Sequence, residues 1–272
     1  MSRPGLVDSH VHLTDFEAGT DIGAIVEQAT AAGVTHLVCN GTSEDDWHEV
    51  LDAAASHREV RPCLGLHPWF VPSRSAKWLD TLEELIKSTG CSIGETGLDK
   101  CVESLDKTAQ EDAFRAQLDL ARRYDRPITI HCVRSWGWLR DVLAGEPALP
   151  DRMLLHAYGG PPDMVKPLAD LGAYFSFSGK VLDETHGRAR AALRAIPADR
   201  LLVETDAPSL LPPPPYCTYI VMTTDGRAHN HPGNLPAILA GIADLLDEAV
   251  DALRQRIWDN ALRFHGDTLG EL

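Results

Sequence analysis

The sequence predicts a (β/α)8 barrel, and three observations predict it. Short apolar runs rich in β-branched residues alternate with longer stretches of helical spacing. The alternation repeats eight times within 272 residues, close to the roughly 250 residues such a barrel takes. After the first apolar run a doubly wound nucleotide-binding sheet would want a G-x-G-x-x-G turn. That place reads Asp8-Ser9-His10-Val11-His12 instead.

Each element follows from a local signal. Strands are expected at residues 6–13, 35–40, 61–66, 91–94, 127–132, 152–156, 173–178 and 201–204, with amphipathic helices between them at 21–33, 44–58, 76–89, 107–124, 136–144, 162–171 and 184–196. Two further helices, 236–246 and 248–264, follow the eighth strand; in the first, Ile238, Ile242 and Leu245 recur at three-to-four spacing. Gly33, Gly90 and Gly172 stand where helices stop, since glycine closes a helix at low steric cost. Thr108 and Ser135 stand near helix starts, where a hydroxyl favours capping. With no internal repeat or interdomain linker, residues 1–272 read as one domain. The connection 207–234 has no helical pattern and holds Pro212-Pro213-Pro214-Pro215. Long connections of this kind are usually functional. It leaves the active-site rim after the eighth strand, and its Tyr216, Tyr219 and His229 are expected to lean over the pocket mouth. Within it, residues 219–223 followed by Asp225-Gly226 suggest a short strand and turn.

Composition narrows the functional classes. The chain is 44% hydrophobic and 24% charged, as ordinary globular proteins are, with no apolar run long enough to span a membrane and no signal-peptide pattern at its start. A net charge of −15 argues against a surface that tracks nucleic acid by charge alone. It leaves a phosphate substrate open, because bound divalent metal can supply local positive charge. Cys39, Cys63, Cys91, Cys101, Cys132 and Cys217 form no C-x-x-C pair and read as free thiols, so a cytoplasmic location is expected. No obligate protein partner is evident.

The chemistry lies at the strand ends. His10 and His12 are two apart in a strand, so both rings project to one inward face with Asp8 a layer deeper. Glu95, His131, His156 and Asp206 each follow an apolar run, at the C-terminal rim where barrel active sites sit. One ion needs three or four protein ligands, and these residues supply six, so two divalent ions are expected. Zinc, manganese, magnesium or iron would suit the mixed nitrogen and oxygen donors. Glu95, between the His10/His12 side and the His131/His156 side, is the candidate bridge. Asp206 is the candidate base toward a metal-activated water, and Glu204, two residues earlier, its deeper support. Trp136 and Trp138 could stack a base, but aromatics opening a helix more often pack inward. His36, His48, His57, His186 and His265 show no partner pattern and read as surface or packing residues; His229 and His231, in the long loop, cannot be placed.

These motifs resemble the TatD family of metal-dependent hydrolases. The resemblance runs in order through Asp8-Ser9-His10-Val11-His12, Gly65-Leu66-His67-Pro68, Gly94-Glu95-Thr96-Gly97-Leu98-Asp99, Ile130-His131-Cys132, His156, Glu204-Thr205-Asp206-Ala207-Pro208 and Asn260-Ala261-Leu262-Arg263-Phe264. It implies an amidohydrolase-type TIM barrel with two divalent metals on His10, His12, Glu95, His131, His156 and Asp206, and hydrolysis of DNA phosphodiesters. It further implies substrate contacts at His67 and Arg134. Three stretches depart from the family pattern: Ala157-Tyr158-Gly159-Gly160, Lys100 and Asn230-His231-Pro232. They spare the ligands and touch the substrate pocket. The expected activity is therefore phosphoester hydrolysis, with Asp206 and Glu95 catalytic and with DNA ends, single strands or short oligonucleotides as substrates. A metal-dependent amidohydrolase (amidase or deaminase) or carboxylic-ester hydrolase acting on a small molecule or an aminoacyl ester is the alternative. Such enzymes frequently bridge their metals with a carboxylated lysine where Glu95 stands. A catalytically silent protein would have lost ligands, and none is missing.

Overall fold

Eight parallel strands follow one another around a ring in chain order. They are β1 (Leu6–Val11), β2 (Val34–Asn40), β3 (Val60–Leu64), β4 (Ser92–Asp99), β5 (Ile128–Val133), β6 (Met153–Leu155), β7 (Ala173–Phe177) and β8 (Leu201–Val203). This computed structural model describes residues 4–101 and 106–270. The seam between β8 and β1 is held by short-range polar contacts. Asp206 N–H donates to the His10 carbonyl (3.0 Å) and His12 N–H to the Ala207 carbonyl (2.8 Å). One layer deeper, the Asp8 carboxylate accepts from the Thr205 amide at 2.9 Å and from its hydroxyl. Asp8 thus fastens the last strand to the first.

Helices α1 (Ile22–Ala31), α2 (Trp47–Ser56), α3 (Trp78–Thr89), α4 (Lys107–Arg123), α5 (Trp136–Gly145), α6 (Val165–Asp170) and α7 (Gly187–Ala195) alternate with the strands; α8 (Leu235–Leu246) and α9 (Val250–His265) follow. Their apolar faces pack on the outward residues of the strands, among them Leu37, Ile93, Ile130, Leu155 and Phe175, all fully buried. Inside the ring a smaller apolar layer, with Val7, Val38, Cys63, Leu154 and Leu202, is closed from below by Phe264 of α9 and Leu269. That plug fills the N-terminal end and leaves polar chemistry to the other. No described helix is long and apolar enough to cross a membrane, and the six cysteines are free.

The differences from the sequence reading have local causes. Strand β4 runs on to Asp99 rather than stopping at Gly94, with an irregular register between Ile93 and Thr96. Glycine permits it: a Cβ on Gly97, at φ +147°, would lie 2.0 Å from the His131 carbonyl oxygen. The cap of α4 is Asp106, accepting from the amides of Thr108 and Ala109, rather than Thr108. Ser135 precedes α5, but its hydroxyl donates back to the Val133 carbonyl.

The loop 207–234 is built down onto the barrel. Strands β9 (Val221–Met222) and β10 (Ala228–His229) form an antiparallel hairpin, as the Asp225-Gly226 turn suggests. Buried Asn234 accepts from the amides of Thr218 and Tyr219, each at 2.8 Å, and donates to the Tyr219 carbonyl. Tyr219 stacks on His231, Asn230 donates to the Thr205 carbonyl, and His229 faces Phe16. The expected overhang of Tyr216, Tyr219 and His229 is therefore corrected. Only Ser209 and Leu210 of this connection line the cavity at the strand ends. Amide hydrogen bonds to buried asparagines hold the rest aside.

Candidate active site

A cavity of about 660 Å³ opens at the C-terminal ends of the strands, with His12, Glu95, His131, His156 and Asp206 in its lining and His10 buried just beneath. Glu95 stands at the centre. Its Oε2 lies 3.4 Å from His10 Nε2 and 3.2 Å from His12 Nε2, while its Oε1 lies 2.8 Å from both His131 Nδ1 and His156 Nε2. Asp206 completes the first side, with Oδ1 3.6 Å from both His10 Nε2 and His12 Nε2. All six residues expected as ligands converge. Arg134 and His67 line the same cavity, but Arg134 stays at its exposed rim while His67 reaches Glu95, Nε2 to Oε1 3.5 Å.

The surroundings fix which nitrogen faces inward. His12 Nδ1 lies 2.9 Å from the Asn40 carbonyl, which can only accept, so Nδ1 carries the proton and Nε2 turns a lone pair into the site. His131 Nε2 is 3.0 Å from Asp99 Oδ2, which leaves Nδ1 for the centre. His156 Nδ1 faces Glu204 Oε1 at 3.6 Å, which leaves Nε2. Glu204 is itself anchored by the Ala157 amide at 2.7 Å and by the Ser176 hydroxyl. His67 differs. Its Nδ1 accepts from the Trp69 amide at 3.2 Å, so its proton sits on Nε2 and that atom donates. A donor cannot ligate a cation but can hold an oxygen of a substrate.

The electrostatics are those of a site awaiting positive charge. Burial pushes the Asp206 carboxyl up to about 7, against the pull of His156 and His12. Burial would raise Glu95 as well, but His156, His67, His10 and His12 hold it well below the usual carboxylate range. Burial and the neighbouring His156 push His10 down to about 4. For His12, burial is outweighed by Glu95 and Asp206, and it rises to about 9. His10 Nε2 and His12 Nε2 are 2.9 Å apart, and His10 Nδ1 is buried without a partner. Converging imidazole lone pairs beside two carboxylates are what a divalent cation satisfies, so the donor set fits a metal. The backbone is strained around it: Arg134, Ala157 and Asp206, just past β5, β6 and β8, all have φ between 42° and 55°.

Sequence reasoning gave no role to Asp99 or Trp69. Asp99 Oδ2 accepts from Trp69 Nε1 at 2.8 Å as well as facing His131, so indole, carboxylate and imidazole form one chain. The signal for Asp99 was its spacing of four from Glu95 within one strand, which returns a side chain to the same face. Trp69 had none, because it comes from the connection after β3.

Comparison with known proteins agrees with this geometry. A family model described as TatD related DNase matches residues 7–266. The 3'-5' ssDNA/RNA exonuclease TatD of Pantoea ananatis is 33% identical over 266 residues, covering 96% of this chain and 99% of that one. An uncharacterized metal-dependent hydrolase TatD of Mycobacterium tuberculosis is 32% identical over 272 residues, covering 96% and 98%. The crystal structure of a TatD homolog from Escherichia coli has a TM-score of 0.86 at 24% identity, covering 96% of this chain and 97% of that one, a likeness of fold. With the family matched over nearly its whole length and the histidine–carboxylate cluster at its centre, the chain belongs to the TatD family of metal-dependent hydrolases.

Proposed function

We propose that this hydrolase binds two divalent ions and cleaves phosphodiester bonds at the ends of single-stranded or short nucleic acid. The observation that carries the reading is the division of Glu95, one oxygen toward His10 and His12 and the other toward His131 and His156. One ion would be held by His10, His12, Glu95 and Asp206, the other by Glu95, His131 and His156. Zinc, manganese, magnesium and iron all suit these donors. When bound, the ions supply the Lewis acidity that acidifies a water molecule and draws charge from the phosphoryl group.

The chain's own residues do the rest. Asp206, at the mouth of the cluster, takes the proton from the attacking water. The water oxygen bonds to phosphorus as the bond from phosphorus to the departing ester oxygen breaks, and the departing oxygen takes up a proton, from Asp206 or from solvent. His67, kept neutral by burial that pushes it down to about 3, offers Nε2–H to a phosphoryl oxygen. Arg134 pairs with substrate charge at the rim. Asp99 and Glu204 keep His131 and His156 in their working orientations. A nucleic-acid substrate is supported by the names of relatives such as the Pantoea exonuclease. The amidase or carboxylic-ester alternative is disfavoured by the glutamate at the bridging position.

Purified protein, stripped with chelator and reloaded with Mn²⁺, Mg²⁺ or Zn²⁺, should take up two ions per chain. It should then hydrolyse a bis-aryl phosphodiester and single-stranded DNA, leaving a carboxylic ester and closed circular duplex almost untouched. Faster turnover of the carboxylic ester than of either phosphodiester would overturn the reading.

A further inference from the structure

Charge is set unevenly around the cavity. With 40 acidic residues against 25 basic ones, many cations away from the cavity find a carboxylate: Lys87 meets Glu83, Arg115 meets Glu111, Arg126 meets Asp267 and Lys166 meets Asp170. Three on the cavity wall do not. Arg134 follows β5, Lys180 follows β7 and Arg188 lies in the first turn of α7, and all three line the cavity with exposed side chains. Among the described residues none of the three has an ion-pair or side-chain hydrogen-bond partner. The cavity's acidic residues lie elsewhere: Glu95 and Asp99 are engaged with histidines on the floor, Asp206 follows β8, and Asp15 stands on the β1 side.

A lone solvated lysine would mean nothing. Three unpaired cations on one concave wall, in a chain of net charge −15, create a local positive field where the surrounding field is negative. The wall rises from the connections after β5 and β7, which flank β6; His131 lies on β5 and His156 just past β6, so the wall adjoins the Glu95 Oε1 half of the cluster. A substrate with one phosphate on that cluster would meet the wall with its next phosphate.

We propose that Lys180 and Arg188, with Arg134 beside them, form a subsite for the phosphate flanking the one being cleaved, so that the nucleic-acid strand leaves the metals across β5–β7 and not across β1. This rests on the phosphodiesterase reading and adds to it a direction and two specificity-determining residues, Lys180 and Arg188. Because their side chains are exposed, they act on binding and positioning more than on the bond-breaking step.

The test is the worth of a second phosphate. Metal-loaded protein is titrated with hydrolysis-resistant phosphorothioate thymidine dinucleotide, which has one internucleotide linkage, and trinucleotide, which has two. The wild type should bind the trinucleotide about tenfold more tightly, the worth of a charge-assisted hydrogen bond. Lys180→Ala with Arg188→Ala should reduce that advantage to about twofold or less. The change should also lower the salt slope of trinucleotide binding by about one. Lys180→Glu with Arg188→Glu should turn the advantage into a penalty, Arg188→Lys should keep most of it, and Lys166→Ala, remote from the cavity, should leave it intact. A wild type indifferent to the second linkage, or a double alanine variant that retains the advantage, overturns the subsite. A wild type that shows the advantage yet hydrolyses no phosphodiester overturns the hydrolytic reading and supports the subsite.

Discussion

At Glu95 five imidazoles surround one carboxylate, and the rings of His12, His131 and His156 are each turned by a partner behind them, the Asn40 carbonyl, Asp99 and Glu204. That dependence makes Asp99 testable. Asp99→Asn keeps the shape but loses the charge facing His131 Nε2, and should weaken metal binding about 10- to 100-fold, as measured by competition with a chromophoric chelator. Unchanged affinity would mean that His131 is held by packing alone. Asp206 should behave differently. It is one of several proposed ligands on its side and the proposed proton acceptor, so Asp206→Asn should lower kcat by about 10²- to 10⁴-fold. Metal content at saturating supply should stay near that of the wild type. Normal turnover in that variant would move the base to another residue.

Among the elements, β4 and the loop after β8 position this site. Strand β4 delivers both Glu95 and Asp99 because Gly97 lies against β5 without a Cβ. The loop is held back from the cavity by Asn234, whose side chain meets the backbone of Thr218 and Tyr219 and the side chain of Asn230. Asn234→Ala should remove the hydrogen bonds to the part-buried amides of Thr218 and Tyr219 and cost about 1–2 kcal/mol. Limited proteolysis and hydrogen exchange should report the opening at residues 211–229, with the number of bound ions unaltered. Protection equal to that of the wild type would show that the prolines and the hairpin hold the loop without it.

For the whole molecule, acid is the informative stress. His36 on β2 and His265 at the end of α9 are buried at the barrel's N-terminal end, and each has an Nε2 without a hydrogen-bond partner. Burial pushes His36 down to about 4, assisted by Arg61; burial pushes His265 down to about 3, assisted by His36 and Arg152. The fold therefore favours both rings neutral, whereas the unfolded chain takes up their protons near 6.5. Their contribution is complete above about pH 6.5 and is lost as the pH falls toward the folded values. Each ring contributes about 1.4 kcal/mol per pH unit in that window. Urea midpoints measured from pH 7.5 to 4.5 should fall, and His265→Gln should flatten the decline. Parallel slopes in the two proteins would place the acid sensitivity elsewhere, for instance in the metal site.

Sequence alone determined the barrel, because its strand–helix rhythm is a local pattern, and it singled out the candidate ligands, because a polar residue after an apolar strand emerges at the rim. His10 and His12 on one face, and Glu95, His131, His156 and Asp206 in or just after strands four, five, six and eight, needed only the periods of strand and barrel. What only the tertiary structure decided depends on neighbours distant in sequence. Asp8 fastens the seam because Thr205 lies across it, and His67 is a donor because of where the Trp69 amide points. Asp99 matters through His131, and the loop lies aside because Asn234 is buried beneath it. The wall of Arg134, Lys180 and Arg188 exists because two connections, after β5 and after β7, bring unpaired cations to one side of a cavity, and no spacing along the chain encodes that convergence.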